Sequence, residues 1–402
     1  MLKEIILRDF FSFYGETRVK LNKGVNLLLG INGSGKTSFI NAIRLLCEGV
    51  SSEGIGRLIQ EQWGGCDQIL NFNGERNAPY AQLTYVFDYA ELNKLNAAAN
   101  FTSDVFYRIT LRPMGTSYSL CEHVFTRNHT QGGIFDYLKF SNGTGKISAR
   151  REDGTVVMQD YKDGEVSGQE LVLRQINDPQ HYLPTYTLRK AIETMAVYAG
   201  FEVGENSRLR YPAEYSTDVR LRKTGSNLTQ ILNDIKLNHR FDFERLENML
   251  SRVNPHFKGI DISNRYGLSY LSLLEENMQR AIGSLHISDG TLRFLLLECI
   301  FYNTQRGNLV GIDEPERGLH PDMIRSVAEM VKMAARQTQI IAATHSPYLL
   351  NQFELEDILV FEKDDNNATT VHRKCEEDFP EWEGEYLPGQ MWLCGMIGGK
   401  RW

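Results

Sequence analysis

The chain has 402 residues, 42% of them hydrophobic, and a net charge of −7. That length allows two or three structural units with sizeable cores, and the acidic balance argues against a surface that coats nucleic acid nonspecifically. No apolar run is long enough to span a membrane, no signal peptide is visible, and the six cysteines are scattered without a C-x-x-C pair, so a cytoplasmic protein with free thiols is expected.

From Leu2 to Leu29 the residues alternate like β structure, with turns at Phe13-Tyr14-Gly15 and Asn22-Lys23-Gly24. The apolar run Val25 to Leu29 leads into Gly30-Ile31-Asn32-Gly33-Ser34-Gly35-Lys36-Thr37, which fits G-x-x-x-x-G-K-[ST], and a helical pattern follows from Ser38 to Cys47. Strand, glycine loop and helix form the context that a phosphate-binding loop requires. Ser51 to Gly74 reads as a glycine-rich loop, and Tyr80 to Tyr89, Phe106 to Arg112 and Ser117 to Phe125 read as strands. Turn dipeptides at Asn142-Gly143, Asp153-Gly154 and Asp163-Gly164 predict an antiparallel meander from Phe140 to Leu173. Asn142 to Ser148 contains a second Gly-Lys pair, but Phe140 stands where the leading glycine belongs, so this stretch is read as a hairpin turn.

Helical periodicity follows at Tyr186 to Tyr198, Asn227 to Lys236, Phe241 to Leu250 and Leu292 to Tyr302. The remainder alternates: strand Leu309 to Ile312, helix Pro321 to Arg336, strand Gln339 to Ala343, and a helix after Ser346-Pro347, which implies a parallel sheet. The expected division is residues 1–175 for the first half of the head with a β-rich annex, 176–286 for a mostly helical lobe, and 287–402 for the second half of the head.

Each motif residue has a chemical reason. Glycines let consecutive N–H groups and a helix N-terminus face an anion without Cβ clashes, so Asn32, Gly33, Ser34, Gly35, Lys36, Thr37 and Ser38 are read as the nucleotide cradle. Lys36 adds charge at the β- and γ-phosphates, and the Thr37 hydroxyl suits Mg²⁺. Asp313 would complete the metal shell and Glu314 would polarise the attacking water. Ser288 and Gly290, in Ile287-Ser288-Asp289-Gly290-Thr291-Leu292, open a helix that suits either a plain cap or a γ-phosphate contact in a second subunit. His345 ends a strand at the carboxyl edge of the sheet, where ligands bind in open α/β folds.

Taken together, these residues resemble an ABC-class ATPase of the RecF/SMC-like branch, and more narrowly the compact bacterial AAA-family ATPases of the AAA15 and AAA21 groups, many of which occur in anti-phage defence operons. The resemblance runs over nearly the whole chain: strand Ile5 to Phe13, Walker A at Gly30 to Thr37, signature at Ser288 to Arg293, Walker B at Asp313 to Glu316, D-loop at Gly318 to Pro321, and switch at Thr344 to Ser346. Leu173-Arg174-Gln175 is similar to the Q-loop and Thr224 to Leu228 to a segment of the helical lobe. The chain departs from transporter ATPases in carrying Ser-Asp-Gly where they have Ser-Gly-Gly and Gln, and Gly311 interrupts the strand before Asp313.

The resemblance implies an α/β fold, an ABC-type P-loop NTPase head with a mixed or parallel sheet, β-rich annex and helical insertion lobe. It implies ATP and Mg²⁺ as cofactors, with Gln175 joining Thr37 and Asp313 at the metal and Glu314 and His345 in catalysis. It further implies an ATP-sandwich homodimer in which Ser288 and Gly290 complete the partner's site. The residues after His345 are too few for an appended nuclease, so an effector, a nuclease or toxin, is expected as a separate chain. The alternative is a RecF/SMC-like repair or clamp ATPase acting directly on DNA. Arg208, Arg210, Arg220, Arg222 and Lys223, interleaved with Tyr211 and Tyr215, leave nucleic-acid contact open, and Glu376 through Glu385 with Trp382 and Trp392 leave a basic protein partner open.

Overall fold

The computed structural model describes residues 1–72, 78–127, 133–214, 216–379 and 386–398. The chain opens with β1 (Leu2–Arg8) and β2 (Glu16–Lys20), passes through β3 (Val25–Leu29) and enters the P-loop helix Lys36–Val50. The segment expected as a loop after Ser51 instead holds short helices at Gly54–Arg57, Leu58–Gln62 and Cys66–Ile69, while Gly74 lies outside the described residues. Ile55, Leu58 and Ile59 explain the difference: they stand at i, i+3 and i+4 and are fully buried, a helical signal masked by the surrounding glycines.

Five further strands build the annex: β4 (Ala81–Phe87), β5 (Val105–Met114), β6 (Ser117–Arg127), β7 (Ile134–Ser141) and β8 (Thr144–Arg150), closed by β9 (Val156–Tyr161). With β1 and β2 they form an antiparallel sheet in the order β2-β1-β4-β5-β6-β7-β8-β9. Asn142 and Gly143 turn between β7 and β8 with φ of 51° and 81°, a left-handed pair that suits a two-residue hairpin. The second Gly-Lys pair therefore sits in a hairpin, as its sequence suggests.

Helix Leu183–Glu193 follows, and the chain then returns to the head as β10 (Met195–Tyr198). These last residues of the expected helix are strand because they pair in parallel with the Walker B strand, Val197 opposite Gly311. A four-residue strand is too short to show its own period against the preceding helix. The lobe carries helices Leu228–Asn238 and Arg240–Val253, and it also carries a small sheet of β11 (Ala213–Glu214), β12 (Phe257–Arg265), β13 (Leu268–Glu275) and β14 (Ile282–Gly283). The chain re-enters the head through the signature helix Asp289–Phe301, β15 (Leu309–Asp313), helix Pro321–Ala334, β16 (Gln339–Thr344), β17 (Ile358–Lys363) and β18 (Thr369–Arg373).

The head sheet has the order β10-β15-β16-β3-β17-β18, parallel except for the last pair. Its strands are apolar on both faces, as a covered parallel sheet requires. Leu28, Ile341 and Phe361 point into one core with the annex, while Leu27, Leu29, Ile340 and Val360 point into a second core with the lobe and signature helix. Gly311 has a packing reason: a Cβ there would stand 3.2 Å from Val197 Cγ2 on β10, so the missing side chain lets the neighbouring strand close. Among the described residues, no helix is long and apolar enough to cross a membrane.

Candidate nucleotide-binding site

Register places the motif residues at one edge. β16 lies between β3 and β15, with Thr344 opposite Leu29 and Ala343 opposite Asp313, so the carboxyl ends of all three strands finish level. The loop after β3 and the acidic pair after β15 therefore flank His345, at the edge where open α/β sheets bind ligands.

Gly35 caps the P-loop helix with φ 109°, and a Cβ there would fall 2.4 Å from Thr369 Oγ1, so glycine is needed for both conformation and space. Behind the loop, Thr369 Oγ1 lies 2.8 Å from Ser12 Oγ and 2.9 Å from the Ser34 carbonyl, and Ser12 Oγ lies 3.2 Å from Ser38 Oγ. This brace ties the loop to β18 and was not visible in the sequence, because its members are more than 300 positions apart. Asn32, Gly33 and Thr37 are exposed, whereas the buried Ser34 hydroxyl has no hydrogen-bond partner among the described residues.

The buried Lys36 Nζ donates to the carbonyls of Gly30 at 2.6 Å and Ile31 at 3.0 Å. Burial pulls its ammonium below the usual lysine value, and the fields of Asp313, Glu314 and Glu316 partly offset this. The same burial raises the Asp313 carboxyl, with Glu314 adding to the effect and Lys36 opposing it. Glu314 adopts φ 51°, a costly conformation for a side-chain-bearing residue, with its N–H donating to the Ala343 carbonyl at 2.9 Å. Its carboxylate pairs with His345 Nε2.

Glu316 is a site residue whose role the sequence did not reveal. Its Oε1 accepts from the Thr344 hydroxyl at 2.5 Å and from the His345 N–H at 3.3 Å, while Oε2 is buried without a partner among the described residues. Burial raises its pKa. Glu316 thereby fixes the strand end that carries His345. The clue was the third acid in Asp313-Glu314-Pro315-Glu316, but its partner is 28 positions away.

The remaining motif residues sit elsewhere. Ser288 caps the signature helix, its Oγ accepting from the Thr291 N–H at 3.2 Å, and Gly290 lies against the D-loop, where a Cβ would be 3.2 Å from the Gly318 carbonyl. The Gln175 amide is committed to the annex, its Oε1 accepting from the Ser167 N–H at 2.7 Å and its Nε2 donating to the Ser167 and Glu170 carbonyls.

The basic cluster is largely engaged within the fold. Arg210 is buried, donating to the carbonyls of Ser284, Leu285 and Ile287 and pairing with Asp289. Arg220 binds the Gln305 and Glu193 carbonyls, Arg222 pairs with Asp218, and Lys223 reaches the buried Glu48 at 3.0 Å. Tyr215 lies outside the described residues, as do Trp382 and Glu385 of the acidic tail, whereas Trp392 packs against the lobe-side core.

A nucleotide-sized anion has donors waiting for it here. The N–H groups of Lys36, Thr37 and Ser38 at the helix N-terminus have no acceptor among the described residues, and a lysine and two carboxylates stand at the same edge. This is the arrangement of a P-loop ATPase head. Two family models agree with it: the AAA domain described as "putative AbiEii toxin, Type IV TA system" matches residues 183–351, and a second AAA domain matches residues 4–168. The two halves of the chain are thus each similar to an AAA domain.

Solved structures share the fold at low identity. An SMC head bound to the C-terminal winged-helix domain of ScpA is 12% identical, with a TM-score of 0.56 over 94% of this chain and 98% of that one. An SMC head with an extended coiled coil, bound to the C-terminal domain of ScpA and derived from Pyrococcus furiosus, is also 12% identical with a TM-score of 0.56, covering 96% of this chain and 98% of that one. No curated protein matches the sequence.

Proposed function

We propose that the chain binds and hydrolyses ATP, dimerises when ATP is bound, and in the cytoplasm controls a separate effector, a nuclease or toxin, in bacterial anti-phage defence. The observation that carries the catalytic part is the convergence of Lys36, Asp313, Glu314 and His345 at one sheet edge. In this reading the free amides of Lys36 to Ser38 and the Lys36 ammonium hold the phosphates, and Thr37 with Asp313 holds Mg²⁺. When bound, Mg²⁺ would supply charge neutralisation for the phosphates. Glu314 orients a water and takes its proton, while His345 holds the Glu314 carboxylate and Glu316 holds His345. Ser288 and Gly290 serve the partner's nucleotide, so closure couples phosphate contact to movement of the lobes.

Gln175 would have to leave its bonds to Ser167 and Glu170 to reach the metal, which makes the annex a participant in closure. Support for a protein effector comes from the toxin–antitoxin description of the matching family and from SMC heads solved with a ScpA domain docked. The internal pairing of most of the basic cluster gives the DNA-clamp alternative less to stand on.

The test is a pull-down of tagged Glu314→Gln protein from its native cells with ATP and Mg²⁺. A stoichiometric second protein supports the switch. DNA alone, released at high salt, would move the chain to the clamp class.

A further inference from the structure

A cleft of about 630 Å³ opens beside the D-loop, lined by residues 199–207 together with Arg293 and Arg317. Its volume lies in the range of small-molecule sites, roughly 300–1,000 Å³. Arg293 is the fifth residue of the signature helix, and Arg317 precedes the D-loop glycine. Gly318 explains how the first arginine is seated: a side chain there would run into Arg293 Nε at 3.2 Å.

Several partly buried arginines of this protein are paired, including Arg44 with Glu48, Arg174 with Glu170, Arg189 with Glu193 and Arg210 with Asp289. Among the described residues, neither Arg293 nor Arg317 makes a side-chain hydrogen bond or an ion pair. Burial, joined by repulsion from Arg317, lowers the Arg293 pKa. Holding two unpaired guanidiniums together is costly unless an anion joins them, and a fork of two arginines suits phosphate oxygens. The same cleft carries Glu202 and Glu205, acceptors for hydroxyl or amino groups, and the ring of Phe201.

We propose that this cleft binds a phosphate-bearing small molecule of mononucleotide size, with its phosphate on Arg293 and Arg317. A smaller recess shares Arg293, Arg317 and Phe201 and reaches Asp313 and Glu314. The Arg317 N–H also donates to the Glu314 carbonyl at 3.0 Å. Occupancy of the cleft is therefore felt at the Walker B carboxylates, a link to turnover that rests on the function proposed above.

The experiment is calorimetric titration of Lys36→Ala protein with AMP, ribose 5-phosphate and inorganic phosphate, repeated with Arg317→Gln and Arg293→Gln added singly. Saturable binding that survives Lys36→Ala and weakens at least tenfold in both arginine variants is the expected result. Tighter binding of AMP than of inorganic phosphate supports a ligand of mononucleotide size, and equal binding of the two would overturn it. Arg317 is exposed, so Arg317→Gln tests the site without disturbing the core.

Loss of all AMP binding in Lys36→Ala would assign the anion to the P-loop, overturning this inference and leaving the nucleotide site intact. Probe binding unchanged by either arginine substitution would also overturn it. So would a defect confined to ATP-dependent self-association with no probe bound, which would give the arginines to a second copy of the chain. Undiminished ATP affinity in Lys36→Ala that also ignores the arginine substitutions would sink both readings.

Discussion

Glu122 on β6 gives a quantitative test of how the annex is joined to the head. Its carboxylate is 2% exposed, accepts from the Tyr107 hydroxyl at 2.5 Å and from the Val172 N–H, and so pins the short helix Val172–Gln175 to the sheet. Burial, only partly offset by these bonds, raises its pKa from 4.5 to about 7. The folded protein therefore holds this proton more tightly than the unfolded chain. Its stabilising contribution is fully present below pH 4.5, falls as pH rises, and is lost once pH passes about 7. At about 1.4 kcal/mol per pH unit, the whole loss is about 3 kcal/mol. Glu122→Gln cannot ionise, so it should match the parent below pH 4.5, lead it slightly at pH 5 and exceed it at pH 8 by up to that amount. Thermal melts of the two proteins from pH 5 to 8 measure the difference, with about 4 °C expected at the alkaline end. Other titrating groups cancel in the comparison. A variant that melts below the parent at pH 8, or a gap that does not change with pH, would refute the reasoning.

The catalytic assignments are equally exposed to measurement. Lys36→Ala should lose ATP affinity in a direct binding assay, and normal affinity there would remove the lysine from phosphate contact. Glu314→Gln should still bind ATP while its turnover falls by roughly 100-fold or more, read as phosphate release. Ser288→Arg, mixed with unmodified subunits, should poison activity beyond its own share, and strict proportionality would contradict a shared site. Gly311→Val should cost about 1–3 kcal/mol by forcing β10 away from β15, seen as a lower denaturation midpoint.

What could be read from the sequence depended on how far apart the cooperating residues lie. The P-loop was legible because strand, glycines, lysine and helix are contiguous, and the β7–β8 hairpin because Asn142-Gly143 carries its own turn chemistry. The lobe sheet left a similar mark that helical periodicity elsewhere in the segment obscured. Phe257 to Leu274 alternates around Tyr266-Gly267, whose φ values of 51° and 77° make the hairpin turn. β10 was hidden for a different reason: it is a strand only because β15 offers it an edge. Ser12 and Thr369 have no local signature at all, and Glu316 only its place in an acidic run, since each acquires its role through a residue brought alongside by the completed sheet. The basic cluster misled because charge spacing does not disclose whether a guanidinium faces solvent or, like Arg210, a set of carbonyls.

The strand order of the head carries a consequence for biogenesis. β3 emerges from the ribosome early, yet both of its neighbours, β16 and β17, are encoded more than 300 positions later. Until those arrive, a hydrophobic strand with two open edges and the loop behind it must wait unpaired, a state prone to stray association. Formation of the P-loop is thus one of the last events of synthesis, and a nascent chain cannot acquire its nucleotide pocket before the residues that would switch it. Such an order would keep incomplete chains silent, and it makes residues 339–363 the segment whose truncation should turn a soluble product into inclusion bodies.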